Sequence, residues 1–163
     1  MKKWLMCLCM SIFLSGCAAA ETFETVGDDW LQPVMAPVGE IQLSLPDSAS
    51  TQTILGTQGD KLYFCDGYTV TVQTLDRGDL GRTCKTLCGF GAESLNIMET
   101  VSQGNKRFDW VWTAAGEGGD AVGRAAVIDD GNYHYCVTIM ADAGAAGELE
   151  GEWTALLRSF HIG

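Results

Sequence analysis

AVGRAAVIDDGNYHYCVTIM, residues Ala121 to Met140, holds two runs of alternating side chains on either side of a turn signal. In the first run Val122, Arg124, Ala126 and Ile128 share one parity; in the second, Tyr133, Tyr135, Val137 and Ile139 do. A period of two belongs to a strand, and Asp130-Gly131 is a pair favoured in two-residue hairpin turns because glycine takes positive φ without steric cost. The stretch predicts strands over 121–129 and 132–140. With the turn centred on Asp130-Gly131, Ile128 pairs with Tyr133, Ala126 with Tyr135, Arg124 with Val137 and Val122 with Ile139. Small Ala126 then leaves room for Tyr135, and Arg124 requires either a sheet edge or a carboxylate partner.

Working outward, Leu95–Val101 and Lys106–Ala114 extend the hairpin into a meander, with a turn at Ser102–Asn105 and a glycine-rich loop after Ala114. Towards the N-terminus, Ile41, Leu43 and Leu45 alternate before Pro46 and mark a short strand, and a small polar stretch, Asp47–Thr53, follows. Lys61–Cys65 and Tyr68–Leu75 flank an Asp66-Gly67 turn. A helix is predicted over Asp79–Leu87, ending near Gly89, with a short helical turn at Ala92–Leu95. Leu149, Trp153, Leu156, Leu157 and Phe160 then recur at helical spacing and mark a C-terminal amphipathic helix. The order predicts an α+β fold: an antiparallel meander sheet covered on one face by the C-terminal helix, with a further helix near 79–88. Phe108, Trp110 and Trp112 share a strand face. They could form a stacking platform for a sugar or peptide. Burial beneath the terminal helix, against Trp153 and Phe160, is the favoured expectation, since it gains roughly 2–3 kcal/mol per ring. In outline the domain resembles the PsbP-like domains, which also end in an amphipathic helix with a Ser-Phe pair, as Ser159-Phe160 here.

The N-terminus carries the most specific chemistry. Lys2 and Lys3 precede the apolar run Trp4–Leu14, which is too short for a comfortable spanning helix and reads as an export signal. Leu14-Ser15-Gly16-Cys17 follows and resembles the lipobox of bacterial lipoproteins. That resemblance implies cleavage before Cys17, a thioether-linked lipid on its thiol, and a place on the extracytoplasmic face of the cell membrane. Cys7 and Cys9 would leave with the signal peptide. Ala18-Ala19-Ala20 offers a second, ordinary cleavage pattern that would release a soluble chain. The expected organisation is a signal peptide over 1–16, a lipidated tether over 17–39 and a single domain over 40–163. Within the tether, Trp30, Leu31, Val34 and Met35 are apolar for a linker, which suits a segment lying against the domain. The whole chain also resembles bacterial surface lipoproteins, a likeness that implies location and not activity.

Composition narrows the partners. Without Lys2 and Lys3, 8 basic residues face 21 acidic ones, a formal charge of −13 on the mature chain. Such a surface disfavours nucleic acid and anionic lipid, so membrane attachment falls to the lipid anchor. The remaining partner class is a protein or a small molecule.

Catalytic patterns are sparse. Cys65, Cys84, Cys88 and Cys136 are the cysteines of the exported domain, candidate disulfide or thiol residues whose oxidation would allow three pairings. Cys84 and Cys88 lie four apart, on one face of the predicted helix, but a second close pair for a four-thiolate zinc site is missing. His134 and Cys136 project from one strand face and could pair as base and nucleophile, although cross-strand packing explains the pattern as well. Gly116-Glu117-Gly118-Gly119-Asp120-Ala121 loosely matches a dinucleotide fingerprint, yet it joins two strands, whereas a phosphate loop opens a helix. Glu117 and Asp120 also fall short of an EF-hand in ligand count. No catalytic residue, metal or cofactor is assigned. The favoured function is a non-enzymatic binding module on a membrane anchor, and the competing one a thiol-dependent enzyme or redox protein of the cell envelope.

Overall fold

The computed structural model describes residues 36–53, 60–116 and 119–163. The export signal, Cys17 and the tether as far as residue 35 lie outside the described residues, as does Glu117. The compact unit starts at Ala36.

Its strands are β1 (Ile41–Gln42), β2 (Ser50–Thr53), β3 (Lys61–Cys65), β4 (Tyr68–Asp76), β5 (Met98–Ser102), β6 (Asn105–Gly116), β7 (Gly119–Asp129), β8 (Tyr133–Asp142) and β9 (His161–Ile162). Helices α1 (Leu80–Cys88) and α2 (Ala146–Ser159) and a 3-10 turn at Ala92–Ser94 complete the described elements. Seven strands form one antiparallel sheet in the order β2-β3-β4-β8-β7-β6-β5, and β1 pairs with β9. The α+β class and the β5–β8 meander match the sequence reading. After β4 the chain crosses through α1, and the meander returns β8 to lie beside β4.

Local departures have identifiable causes. The strand expected over Ile41–Leu45 keeps only Ile41 and Gln42, which pair with Ile162 and His161. Leu43 and Leu45 pack against the core without strand pairing. Residues 50–53 of the small polar stretch form the edge strand β2, where polar side chains are common because an edge needs only one neighbour's hydrogen bonds.

The register of the β7–β8 hairpin differs by two residues from expectation. Gly131 and Asn132, not Asp130 and Gly131, are the central turn residues, because the Asp130 amide donates to the Tyr133 carbonyl (3.3 Å). Gly131, at φ 95°, takes the positive-φ position. Asp130 is held at the flank by its own carboxylate, whose Oδ1 accepts from the amides of Asn132 (2.7 Å) and Tyr133 (2.8 Å). Tyr135 therefore faces Ile128, Val137 faces Ala126, Ile139 faces Arg124 and Ala141 faces Val122. A slip of two keeps each side chain on its predicted face.

Two buried clusters lie on opposite faces of the sheet. The first joins Val70, Val72, Ala126, Ile128, Tyr135, Val137 and Ile139 to Trp153, Leu156 and Leu157 of α2 and to Phe160. Arg107 fastens this layer: it grips Asp109 through two hydrogen bonds (2.8 and 2.9 Å), donates to the Leu157 carbonyl (2.9 Å) and lies 5.7 Å from the Phe160 ring centre. A cation there meets the carbonyl end of α2, where it is favoured. The second cluster joins Phe108, Trp110, Trp112, Ala125, Val127 and Cys136 to Cys84 of α1, with Leu80, Leu87, Leu95 and Ile97 packed against it.

The aromatic stripe is thus core, but not beneath the terminal helix. The β6–β7 register sets Phe108 against Val127, Trp110 against Ala125 and Trp112 against Gly123, and these belong to the face opposite Ala126 and Ile128. Arg124 meets neither expectation made for it. It sits on an interior strand and donates to the Thr154 hydroxyl of α2 (3.0 Å).

Trp112 lies so close over Gly123 that a Cβ there would collide with the indole. Gly123→Ala should therefore cost about 1–3 kcal/mol of stability by overpacking. Urea unfolding measures this, and an unchanged midpoint would contradict the packing described.

Candidate functional site

The group most able to do chemistry forms where three segments meet: the turn from β4 into α1, the first turns of α1, and the β7–β8 hairpin. β4 ends at Asp76, and the Arg77 amide donates to the Asn132 carbonyl (3.0 Å), tying that turn to the hairpin. α1 starts after Asp79 and ends at Gly89, whose amide returns to the Lys85 carbonyl (3.0 Å). Its inward face brings Thr83 and Cys84 onto the sheet.

His134, only 2% exposed, meets Thr83 there: Nδ1 and the Thr83 hydroxyl share a 2.6 Å hydrogen bond. Its Nε2 faces Asp129 Oδ2 at 3.8 Å, and Asp129 Oδ1 in turn faces Arg77 Nε at 3.5 Å. With the ring proton on Nε2, towards the carboxylate, Nδ1 accepts from Thr83. Burial lowers the His134 pKa from its usual 6.5, outweighing the upward pull of Asp129, so the ring is neutral at pH 7. The result is a polar chain, Arg77–Asp129–His134–Thr83, running from the surface into the dry side of the sheet.

Where this chain surfaces there is a cleft of about 220 Å³, lined by Leu75, Asp76, Arg77, Gly78, Arg82, Thr83 and Thr86. Arg82 makes no ion pair among the described residues. A second cleft, of about 290 Å³, opens on the opposite face between Val111, Val122, Arg124 and the start of α2, where Val111 is 54% exposed.

The cysteines do not converge on one centre. Cys136 is fully buried, its thiol donates to the His134 carbonyl (3.3 Å), and burial pushes its pKa far up. The imidazole of His134 makes its contacts with Thr83 and Asp129, so the base–nucleophile pairing of His134 with Cys136 is not the arrangement found. Cys84 is buried in the same cluster, and burial raises it to about 11. Cys88, one helical turn on, donates to the Cys84 carbonyl (3.1 Å). Cys65 is apart, at the end of β3, and is raised by partial burial. All four are free thiols. Among the described residues no three His, Cys, Asp or Glu side chains are grouped to hold a metal, and no helix is long and apolar enough to cross a membrane. Gly116 and Gly119 close the β6–β7 hairpin, and Asp120 accepts the Ala143 amide through its carbonyl (2.8 Å); the glycine-rich run joins antiparallel strands.

Arg77, Arg82 and Thr83 carried no weight in the sequence reading. The available signal was charge: three of the eight cations past residue 3 fall within Arg77–Lys85.

The fold has solved counterparts. One is the cyanobacterial PsbP protein CyanoP of Synechocystis sp. PCC 6803, with 12% identity and TM-score 0.53 over 78% of this chain and 95% of that one. Another, from Bacteroides thetaiotaomicron VPI-5482, has 11% identity and TM-score 0.50 over 76% of this chain and 45% of its own. The Ran-binding protein Mog1p of Saccharomyces cerevisiae has 14% identity and TM-score 0.49 over 75% and 89%. No protein-family model and no curated protein matches the sequence. The PsbP-like outline expected from the C-terminal pattern is therefore a likeness of fold.

His134 also sets a pH dependence. Its folded pKa is depressed, so between 6.5 and that lower value the unfolded chain binds the proton more readily, and stability present above 6.5 is lost as pH falls through this window. Asp130, whose pKa is lowered by the Asn132 and Tyr133 amides against the opposing effect of burial, acts only below its usual 3.8. Urea midpoints should thus fall from pH 7.5 to 5.5 in the wild type and fall less in His134→Gln. Equal losses in both proteins would remove His134 from this role.

Proposed function

We propose that this protein is a lipid-anchored extracytoplasmic binding module, which holds a protein or small-molecule ligand at the membrane surface without transforming it. Cys17 is the lipid attachment site and the domain from Ala36 is the binding part. The observation that carries the reading over a thiol enzyme is the state of the thiols. Burial raises Cys65, Cys84 and Cys136, whereas a nucleophilic cysteine needs an electropositive, partly open site that lowers its pKa. The anchor rests on the order of Lys2-Lys3, the apolar run and Leu14-Ser15-Gly16-Cys17. The excess of acidic residues supports it, since such a surface gains nothing from anionic lipid. One acyl chain binds a bilayer only marginally, so the several chains of a lipoprotein cysteine account for a stable hold.

Fractionation of cells producing Cys17→Ala should move the protein from the membrane to the soluble extracytoplasmic fraction. Tight membrane retention of the processed variant would overturn the anchor. Alkylation of Cys84 and Cys136 in the folded full chain at pH 7.5 should run at least about tenfold slower than after unfolding, because both thiols are buried and burial raises their pKa. A thiol that reacted faster in the folded protein than in the unfolded one would restore the enzyme reading.

A further inference from the structure

We propose that the cleft between Arg77 and Arg82 is an oxyanion-binding site, where this domain takes the carboxylate or phosphate group of its ligand; this rests on the reading of the domain as a binding module. The first argument is the scarcity of positive charge. Past residue 3 the chain has 8 cations against 21 acidic residues, yet two guanidinium groups line one cleft of about 220 Å³. Arg82 has no ion-pair partner among the described residues, and Arg77 engages only Asp129, through Nε at 3.5 Å. Among the described residues no ion pair engages the outer Nη donors of Arg77. Asp76 also lines the cleft and, among the described residues, forms no ion pair with either arginine, which leaves the lining one positive charge in excess. Two like charges facing one cavity repel, and an anion between them turns that repulsion into attraction.

The second argument is shape. A guanidinium presents a planar fork of donors that matches the paired oxygens of a carboxylate or phosphate. Thr86, whose hydroxyl donates to the Arg82 carbonyl (3.0 Å), forms part of the cleft wall, and Leu75 gives it an apolar side. The volume lies below the roughly 300–1,000 Å³ of ordinary small-molecule pockets, which suits one anionic group or a small acid and not an extended ligand.

The third argument is that the cleft is wired to a buried reporter. Arg77 neutralises Asp129, and Asp129 faces His134, whose surroundings are completed by Thr83 of α1 and Asp130 of the hairpin turn. An anion that draws Arg77 outward leaves Asp129 less compensated, so His134 holds a proton more readily. Binding is therefore felt at a side chain that no ligand touches.

The test is an NMR titration of the full chain in detergent micelles at about 0.1 M salt, where the distant repulsion is screened, using inorganic phosphate in one arm and succinate in the other. The His134 imidazole and the Arg82 side chain should shift saturably. Arg77→Gln and Arg82→Gln should each weaken binding by about tenfold, while Arg158→Gln, on α2, should leave it unchanged. Saturation by phosphate alone, by succinate alone or by both supports the site and identifies the group it prefers. Absence of saturable shifts with either probe, or an equal loss in Arg158→Gln, would overturn it. A null titration in a protein whose thiols stay unreactive removes the cleft and leaves the binding module standing, whereas a reactive thiol removes the module whatever the titration shows.

Discussion

The rest of this fold depends on one constraint: β8 is dry on both sides. From Tyr133 to Ile139 every residue of that strand is buried, so neither face of the sheet can be left to water there. Tyr133, Tyr135, Val137 and Ile139 demand one layer, and His134, Cys136 and Thr138 demand another. The first layer is shared with α2 and Phe160, the second with α1 and the aromatic row of β6. Antiparallel sheets commonly keep one wet face, and the crossover between β4 and β5 is what removes it here. The same strand fixes the start of the domain. The Tyr133 hydroxyl donates to the Ala36 carbonyl (2.8 Å), and the Tyr135 hydroxyl accepts the Gly39 amide (2.9 Å) while donating to Asp130 (3.0 Å).

Double burial also explains why the polar groups of the second face are arranged as they are. A buried imidazole without partners costs several kcal/mol on the order of an unpaired polar group. His134 therefore needs both a hydroxyl and a carboxylate, and Asp129 needs Arg77 in its turn. The chain ends only where a cation reaches solvent. That is how a packing demand on an inner strand comes to place an arginine at the mouth of a cleft.

Most of the element order was legible in the sequence because it depends on local signals. Alternation marked β3, β4 and the meander; Asp66-Gly67 and Asp130-Gly131 marked turns; the stripe ending in Phe160 marked α2. Parity says which residues share a face, but not which face of the sheet that is. The aromatic row of β6 was assigned to the wrong layer for that reason. The size match of Trp110 with Ala125 and of Trp112 with Gly123 is the signal that would have corrected it. Asp130 is by residue type a favoured turn-centre residue, but its carboxylate serves the amides of Asn132 and Tyr133 and so moves the turn on by one residue. The Arg77–Arg82 cleft is lined by residues 75–86 alone, and the clustering of Arg77, Arg82 and Lys85 is its local signal; its link through Asp129 to His134 is what no local pattern spans.

The proposed anchor at Cys17 would give the acidic charge a physical role. An acidic domain held close to an anionic bilayer is repelled from it within about a Debye length, roughly 8 Å at physiological salt. A lipid at Cys17 would hold the chain while this repulsion orients the domain away from the surface. The same field discourages anionic ligands in general, so recognition of one needs a local reversal of sign. Arg77 and Arg82 provide that reversal over a few ångströms, and low-dielectric walls such as Leu75 strengthen it. Affinity at such a site is a balance between two close cations and many distant anions. Salt weakens the distant repulsion more than the close attraction, so moderate ionic strength would favour binding here, the opposite of its effect on a protein with a broadly basic face.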